Sequence, residues 1–296
     1  MAPCMLYDDG QLSPNENDGM RPTLKSSITI AGILACLMAC LGRAGEIEPT
    51  AEVRAISIGR FGDRDIGKGL PDGWRELTFD PKKFPIQSQY GVLELNGHGA
   101  VLKASTEGGV SAIYRPVDVN PKDYPYISWR WRVENIYPGI DEKTKKGDDY
   151  PARVYIGFQY DPERVNLVTR AKFNLAKRRS KDGHYPPFYV LNYVWASTLE
   201  ADTWIPNPWE KRSKVVAVKS GADGLGRWHH EARHYLRDFQ AIVGEDPPPI
   251  DFVAVMIDSD GSRSSGVAYF DDIELLSAPP PDLGREVPAP PQKADD

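Results

Sequence analysis

His230-Glu231-Ala232-Arg233-His234 spells HExxH. On a helix, histidines four residues apart share one face and can hold a zinc ion, with the glutamate as general base. Trp228, Ala232, Tyr235, Phe239 and Ile242 fit a helical stripe through this segment. If the stretch opens as a strand instead, His230 and His234 stand about 13 Å apart, at about 3.3 Å per residue, and cannot share a metal. The flanks also speak against zinc. Arg237 and Gln240 stand where a metzincin needs glycine and histidine, and no third ligand is visible nearby.

Carboxylates offer other chemistry. Asp258-Ser259-Asp260-Gly261-Ser262 invites a calcium reading. An EF-hand loop needs glycine at its sixth position, however, and here glycine is fourth, so a turn between two strands is the plainer account. Asp148, Asp149, Glu231, Asp258 and Asp260 could supply a carboxylate pair for glycoside hydrolysis, but spacing along the chain does not give their separation in space. No GxSxG elbow, P-loop or dinucleotide fingerprint occurs. The 3 cysteines, Cys4, Cys36 and Cys40, all precede residue 41. The body therefore has no thiol nucleophile, no disulfide framework and no cysteine zinc site.

Short strands must position these groups. Gly and Pro number 26 each, enough to punctuate many turns. Strands are predicted at 54–60, 74–79, 91–95, 100–104, 110–115, 126–133, 152–159, 188–196, 214–219, 251–258 and 266–276. In 126–133, Ile127, Trp129, Trp131 and Val133 take one face and Ser128, Arg130 and Arg132 the other. In 152–159, Ala152, Val154, Ile156 and Phe158 alternate with Arg153, Tyr155 and Gln159. This alternation places tryptophans in the core and arginines toward solvent or a second polar layer. Many strands with few helices predict an all-β, two-layer sandwich, jelly-roll-like or galactose-binding-like, with a helical insertion. The insertion is 163–179, and a short helix is expected around 238–243. Residues 161–183 carry 7 basic and 3 acidic residues in a chain of net charge −6. That segment is either a solvated helix or a lid or basic face for an anionic glycan or headgroup. The acidic balance argues against nucleic acid as a partner.

Both ends differ from the body. Arg21 and Lys25 precede an uncharged stretch from Ile28 to Leu41, which suits a signal h-region better than a membrane span. Met20 is read as the start, with a genuine cytoplasmic extension over 1–19 as the alternative. Leu37-Met38-Ala39-Cys40 resembles a lipobox, making Cys40 the candidate lipidation site, with cleavage after Ala44 as the competitor. Residues 278–296 are proline-rich and are expected to form a flexible tail. The expected organisation is a leader over 1–44, a β-sandwich over 45–277 and a tail over 278–296.

Several motifs occur in order: Trp129-Arg130-Trp131, Gly147-Asp148-Asp149-Tyr150-Pro151-Ala152-Arg153-Val154-Tyr155, Leu191-Asn192-Tyr193-Val194-Trp195-Ala196, Pro206-Asn207-Pro208, Leu225-Gly226-Arg227-Trp228 and Asp258-Ser259-Asp260. With Ser220-Gly221 and Gly244-Glu245-Asp246-Pro247-Pro248, this series resembles the bacterial domain-of-unknown-function family 3047 over most of 55–276. The resemblance implies that Glu231 and Arg233 belong to the family pattern whereas the two histidines do not. The run Ala268 to Leu275 is similar to the closing strand of carbohydrate-binding jelly rolls, which often hold a structural calcium, so Asp271 and Asp272 become candidate calcium ligands. Polar residues within the family-like motifs form the candidate ligand set: Arg130, Asp148, Asp149, Arg153, Asn192, Trp195, Asn207, Arg227, Glu231, Arg233, Asp258 and Asp260. A face of arginines, acids and an exposed tryptophan would grip a sugar by forked hydrogen bonds and stacking; a buried charge network is the competing account. The leading expectation is an exported module binding an envelope or extracellular glycan, touching a membrane only through its leader or lipid anchor. The alternatives are a polysaccharide-active jelly-roll enzyme or zinc hydrolase, and a structural envelope protein that docks another protein. No cofactor beyond structural calcium is expected.

Overall fold

A computed structural model describes residues 52–179 and 183–281. The leader, Cys40 and nearly all of the proline-rich tail lie outside the described residues.

Among the described residues, thirteen strands form two sheets. One holds β1 (Ala55–Gly59), β3 (Gln89–Leu95), β4 (Gly99–Glu107), β6 (Tyr126–Val133), β11 (His229–Arg233) and β13 (Ser265–Leu276), in the order β11-β6-β13-β4-β3 with β1 beside the second half of β13. The other holds β2 (Arg75–Leu77), β5 (Val110–Val119), β7 (Ala152–Phe158), β8 (Tyr189–Ala196), β9 (Trp204–Pro206), β10 (Ser213–Ser220) and β12 (Ile250–Asp258), in the order β2-β5-β12-β7-β8-β10-β9. All pairings are antiparallel except β8 with β10. The chain repeatedly crosses between layers, as β4 to β5 to β6 to β7 and again β11 to β12 to β13. The protein is thus an all-β, jelly-roll-like sandwich.

Alternation builds the core. Trp129 and Trp131 of β6 are fully buried and meet Tyr193 and Trp195 of β8 from the facing sheet. Trp129 stacks on Tyr193 with centroids 5.7 Å apart, and Trp131 meets Trp195 edge-on at 5.9 Å. Such pairs add about 0.5–1.5 kcal/mol each to the burial of their area.

Among the described residues, two α-helices interrupt the strands. The first, α1 (Leu167–Arg179), is the expected insertion. Its Phe173 is buried and lies 4.1 Å from Tyr160, with ring planes 10° apart. The second, α2 (Tyr235–Val243), ends on Gly244, whose φ of 86° supplies the left-handed turn that closes a helix. Among the described residues no helix is long and apolar enough to cross a membrane.

The HExxH segment is not a helix. His229 to Arg233 form edge strand β11 beside β6, and His234 caps α2 by accepting from the Arg237 backbone N–H. Pairing with β6 sets this conformation, because it lets Glu231 and Arg233 point between the sheets. Extended backbone separates His230 from His234, so the zinc reading falls.

Candidate functional site

The outer face of the seven-stranded sheet carries a groove of about 840 Å³. Its floor follows from the strand period. On β12, Val253, Val255 and Ile257 enter the core, so Phe252, Ala254, Met256 and Asp258 turn outward. Neighbouring β5 contributes Ala112 and Tyr114, and β7 contributes Arg153 and Tyr155. Phe252 and Tyr114 meet edge-on at 5.8 Å. Glycine at 157 makes room for this floor, since a Cβ there would lie 2.2 Å from the Phe252 ring. Loops raise the walls. Phe84 and Trp209 stand on one side, and Tyr160 and Tyr185 stand beside α1 on another. Trp209 is 48% exposed, with the ammonium groups of Lys83 and Lys145 at 4.3 and 4.9 Å from its ring centroid.

One end of the groove is strongly acidic. Arg153 is buried and donates from Nε to Asp258 Oδ1 at 2.7 Å, from Nη2 to Asp258 Oδ2 and the Asp148 carbonyl, and from Nη1 to Asp148 Oδ1 at 3.4 Å. Asn207 ties this cluster to the wall. Its Nδ2 donates to Asp148 Oδ2 at 3.3 Å, while its Oδ1 accepts from the Trp209 and Glu210 backbone N–H groups at 2.9 and 3.0 Å. Burial pushes the Asp258 carboxyl up to about 7 against the pull of Arg153, and it also raises Asp148 and Asp260.

Asp149, Asp258 and Asp260 each bring a carboxylate oxygen within 4.8 Å of the others, close enough to share a metal. The oxygens of Asp149 and Asp258 already accept hydrogen bonds, each keeping lone pairs to spare. Arg153 takes both oxygens of Asp258, and the Gly261 and Ser262 backbone N–H groups take those of Asp149 at 3.2 and 2.5 Å. On its Asp258 side the cluster is organised around the Arg153 guanidinium, with which a cation would compete. The other calcium candidates are engaged too. Asp271 and Asp272 lie where β13 bulges, Asp272 having a φ of 47°. There they pair with Arg130 at 2.9 and 2.8 Å, and Asp272 also pairs with Arg60 at 3.2 Å.

The candidate ligand set therefore does not converge on one site. Asp148, Arg153, Asn207, Asp258 and Asp260 come together at the acidic end of the groove, with Asp149 beside Asp258 and Asp260 but not lining it. Asn192 lies on the same side of β8 but is sealed beneath the surface, with neither amide atom bonded. Arg130 belongs to the other sheet, so Arg130 and Arg153 occupy opposite outer faces rather than one polar layer. Arg153 does not face solvent either. Its guanidinium is consumed by acids, which removes the forked grip on a sugar expected of it.

Glu231 and Arg233 form a separate group between the sheets at their β11 edge. Arg233 pairs with Asp238 at 3.1 Å and Asp202 at 3.2 Å, and Tyr193 donates its hydroxyl to Asp238 at 2.9 Å. Glu231 Oε1 accepts from Trp131 Nε1 at 3.4 Å, and burial drives this carboxyl up to about 7 despite Lys219 and Arg233 nearby. Trp195, expected to be exposed, is fully buried because its β8 register points it at Trp131. Arg227 is exposed and apart from the groove.

Sequence reasoning missed the aromatic floor. Its signal was the unbroken apolar run Phe252 to Ile257, which leaves β12 without a polar face.

Comparison with solved structures finds distant likenesses. The family 11 carbohydrate-binding module of the cellulosomal cellulase Lic26A-Cel5E of Clostridium thermocellum is 12% identical, covering 77% of this chain and 97% of that one, with a TM-score of 0.35. The same family's module from Clostridium thermocellum, in complex with a β-1,3-1,4-mixed-linked tetrasaccharide, is 9% identical over 75% and 96% of the two chains, with a TM-score of 0.33. The K1 cleaved adhesin domain of Lys-gingipain from Porphyromonas gingivalis W83 is 10% identical over 77% and 99%, with a TM-score of 0.31. Likenesses this remote say nothing of what this chain binds. No curated protein matches the sequence. One protein family does, over residues 72–274, well over half of the 296. The chain therefore belongs to the family described as protein of unknown function (DUF3047).

Proposed function

We propose that the protein is a glycan-binding module and that the groove on the outer face of its seven-stranded sheet holds the sugar chain. The observation that carries this reading is the groove itself: Tyr114, Phe252 and Tyr155 line a floor of about 840 Å³, and polar groups stand at its ends. Sugar rings present C–H faces that pack on aromatic rings and hydroxyls that seek such groups. The volume lies within the range of about 300–1,000 Å³ usual for ligand sites. The acid end, with its one arginine already paired, suits hydroxyl donors of a neutral chain better than a carboxylated or sulfated one. Export by the leader, with Cys40 as lipid anchor, belongs to the same proposal. Loss of palmitate labelling in Cys40→Ser is the outcome expected of it, and labelling that persists would remove the anchor.

A glycan array probed with the full chain, followed by calorimetry on the glycans bound, tests the site. Tyr114→Ala and Phe252→Ala are each expected to weaken binding about tenfold, the equivalent of about 1.4 kcal/mol. Silence across the array from a chain that melts cooperatively would overturn the reading. So would full affinity in the Tyr114→Ala/Phe252→Ala pair.

A further inference from the structure

Helix α1 turns two kinds of side chain outward. Phe173 and Ala176 face the body, Phe173 being buried and Ala176 lining the groove wall. At about 100° per residue, positions 167, 168, 171 and 175 fall within one sector on the opposite side. That sector holds Leu167, Val168, Ala171 and Leu175. Leu167 is 79% exposed, Val168 67% and Leu175 48%; the first two exceed every other exposed large apolar side chain among the described residues. The helix also contains Arg170, Lys172, Lys177, Arg178 and Arg179 and no acidic residue, within a chain of net charge −6. Arg170 bonds the Pro162 carbonyl at 2.5 Å, and Lys177 lies 4.3 Å from the Tyr185 ring centroid. Lys172 and Arg178 are exposed; Lys172 borders the apolar sector, and Arg178 falls within it at its C-terminal end, one turn beyond Leu175.

A merely solvated helix gains nothing from presenting three large aliphatic side chains to water. A polyanionic glycan or nucleic acid would use the charges and leave the aliphatic groups idle. A bilayer surface bearing anionic phospholipids uses both, because apolar side chains enter the boundary between headgroups and acyl chains while cations meet phosphates. We propose that the outer face of α1 docks on such a surface, with Leu167, Val168 and Leu175 inserted and Lys172 and Arg178 on the headgroups. The groove wall formed by Ala176, Tyr160 and Tyr185 would then stand beside the bilayer. This inference does not depend on what the groove binds.

Sedimentation of the full chain with vesicles of phosphatidylcholine alone, or mixed with phosphatidylglycerol, is the test. Stronger binding to the mixed vesicles, weakened by salt, is expected. The Leu167→Ser/Val168→Ser/Leu175→Ser variant and the Lys172→Glu/Arg178→Glu variant should each lose about tenfold or more in partitioning, with unchanged thermal melts because these positions are exposed. Every protein compared carries Cys40→Ser, so that no acyl anchor holds it on the vesicles, and lipid concentrations are chosen so that the parent chain is only partly bound. The groove variant Tyr114→Ala should partition like the parent chain, which separates this idea from the glycan reading. Parent-like partitioning by the Leu167→Ser/Val168→Ser/Leu175→Ser variant overturns the proposal. Loss in the charge variant alone also overturns it, leaving a soluble polyanion as the partner.

Discussion

Arg153 shows how one residue ties stability to the site. Asp148 and Asp258 flank its guanidinium at the end of a groove, with Asp149 and Asp260 close by. Removing one partner of a buried pair leaves an uncompensated charge, which costs about 3–5 kcal/mol. Arg153→Ala is expected to lose that much in urea unfolding, and Arg153→Ala/Asp258→Ala should recover part of it. A double variant no more stable than the single one would mean that packing of the arginine stem, and not charge, is what matters. Glu231 gives a second residue-scale expectation. Burial raises its carboxyl to about 7, so the folded chain holds a proton that the unfolded chain releases in the ordinary carboxylate range. The stability linked to that proton is fully present below about pH 4.5 and is lost as pH rises through about 7. Asp258 is shifted in the same direction. The melting temperature should therefore be higher near pH 5 than near pH 8. In Glu231→Gln the matching difference in unfolding free energy should shrink by on the order of 2 kcal/mol, and an unchanged pH profile would remove Glu231 from the account.

At the scale of elements, α1 is held through Phe173, the one buried side chain among its described residues, stacked on Tyr160 with Arg212 5.0 Å from the ring centroid. Phe173→Ala should free the helix without unfolding the sandwich. Trypsin cleavage at Lys177 and Arg178 would accelerate several-fold while the urea midpoint moves little. A loss of about 3–5 kcal/mol, as for a core Phe→Ala change, would instead make α1 part of the core. Elements were also what the sequence made most legible. The predicted 126–133 strand is β6 residue for residue, because its period of two is unbroken and ends at charged or proline-containing turns. Two strands escaped. β9 spans only Trp204 to Pro206, too short for a period to show. β11 hid within a stripe of helical spacing that spans two elements, the strand ending at Arg233 and α2 starting at Tyr235. Only pairing with β6, distant in sequence, decides between them.

At the scale of the whole molecule, the two outer faces have opposite characters. Outside the six-stranded sheet, Arg130, Asp271, Asp272, Arg60 and Glu274 pair with one another at 2.8–3.4 Å, with Asp271 Oδ1 buried and left without a hydrogen-bond partner. Outside the seven-stranded sheet lies the aromatic groove. Strand alternation alone could say that Arg130 and Arg153 leave the core, but not that β6 and β7 belong to different sheets, and so it merged two faces into one. The difference can be tested without knowing the ligand's detailed pose. A ligand bound only to the folded state raises stability, by about 2.7 kcal/mol at a hundredfold excess over Kd. Arg130→Ala should leave that ligand-induced shift in melting temperature intact, since it alters only the charged face. Gly157→Ala should diminish it, because the added methyl would collide with the Phe252 ring from 2.2 Å away and push it off the floor. Phe252→Ala/Gly157→Ala should bind no worse than Phe252→Ala alone, the collision being absent there. If Arg130→Ala abolishes the shift and Gly157→Ala spares it, the ligand belongs on the charged face and the groove is not its site.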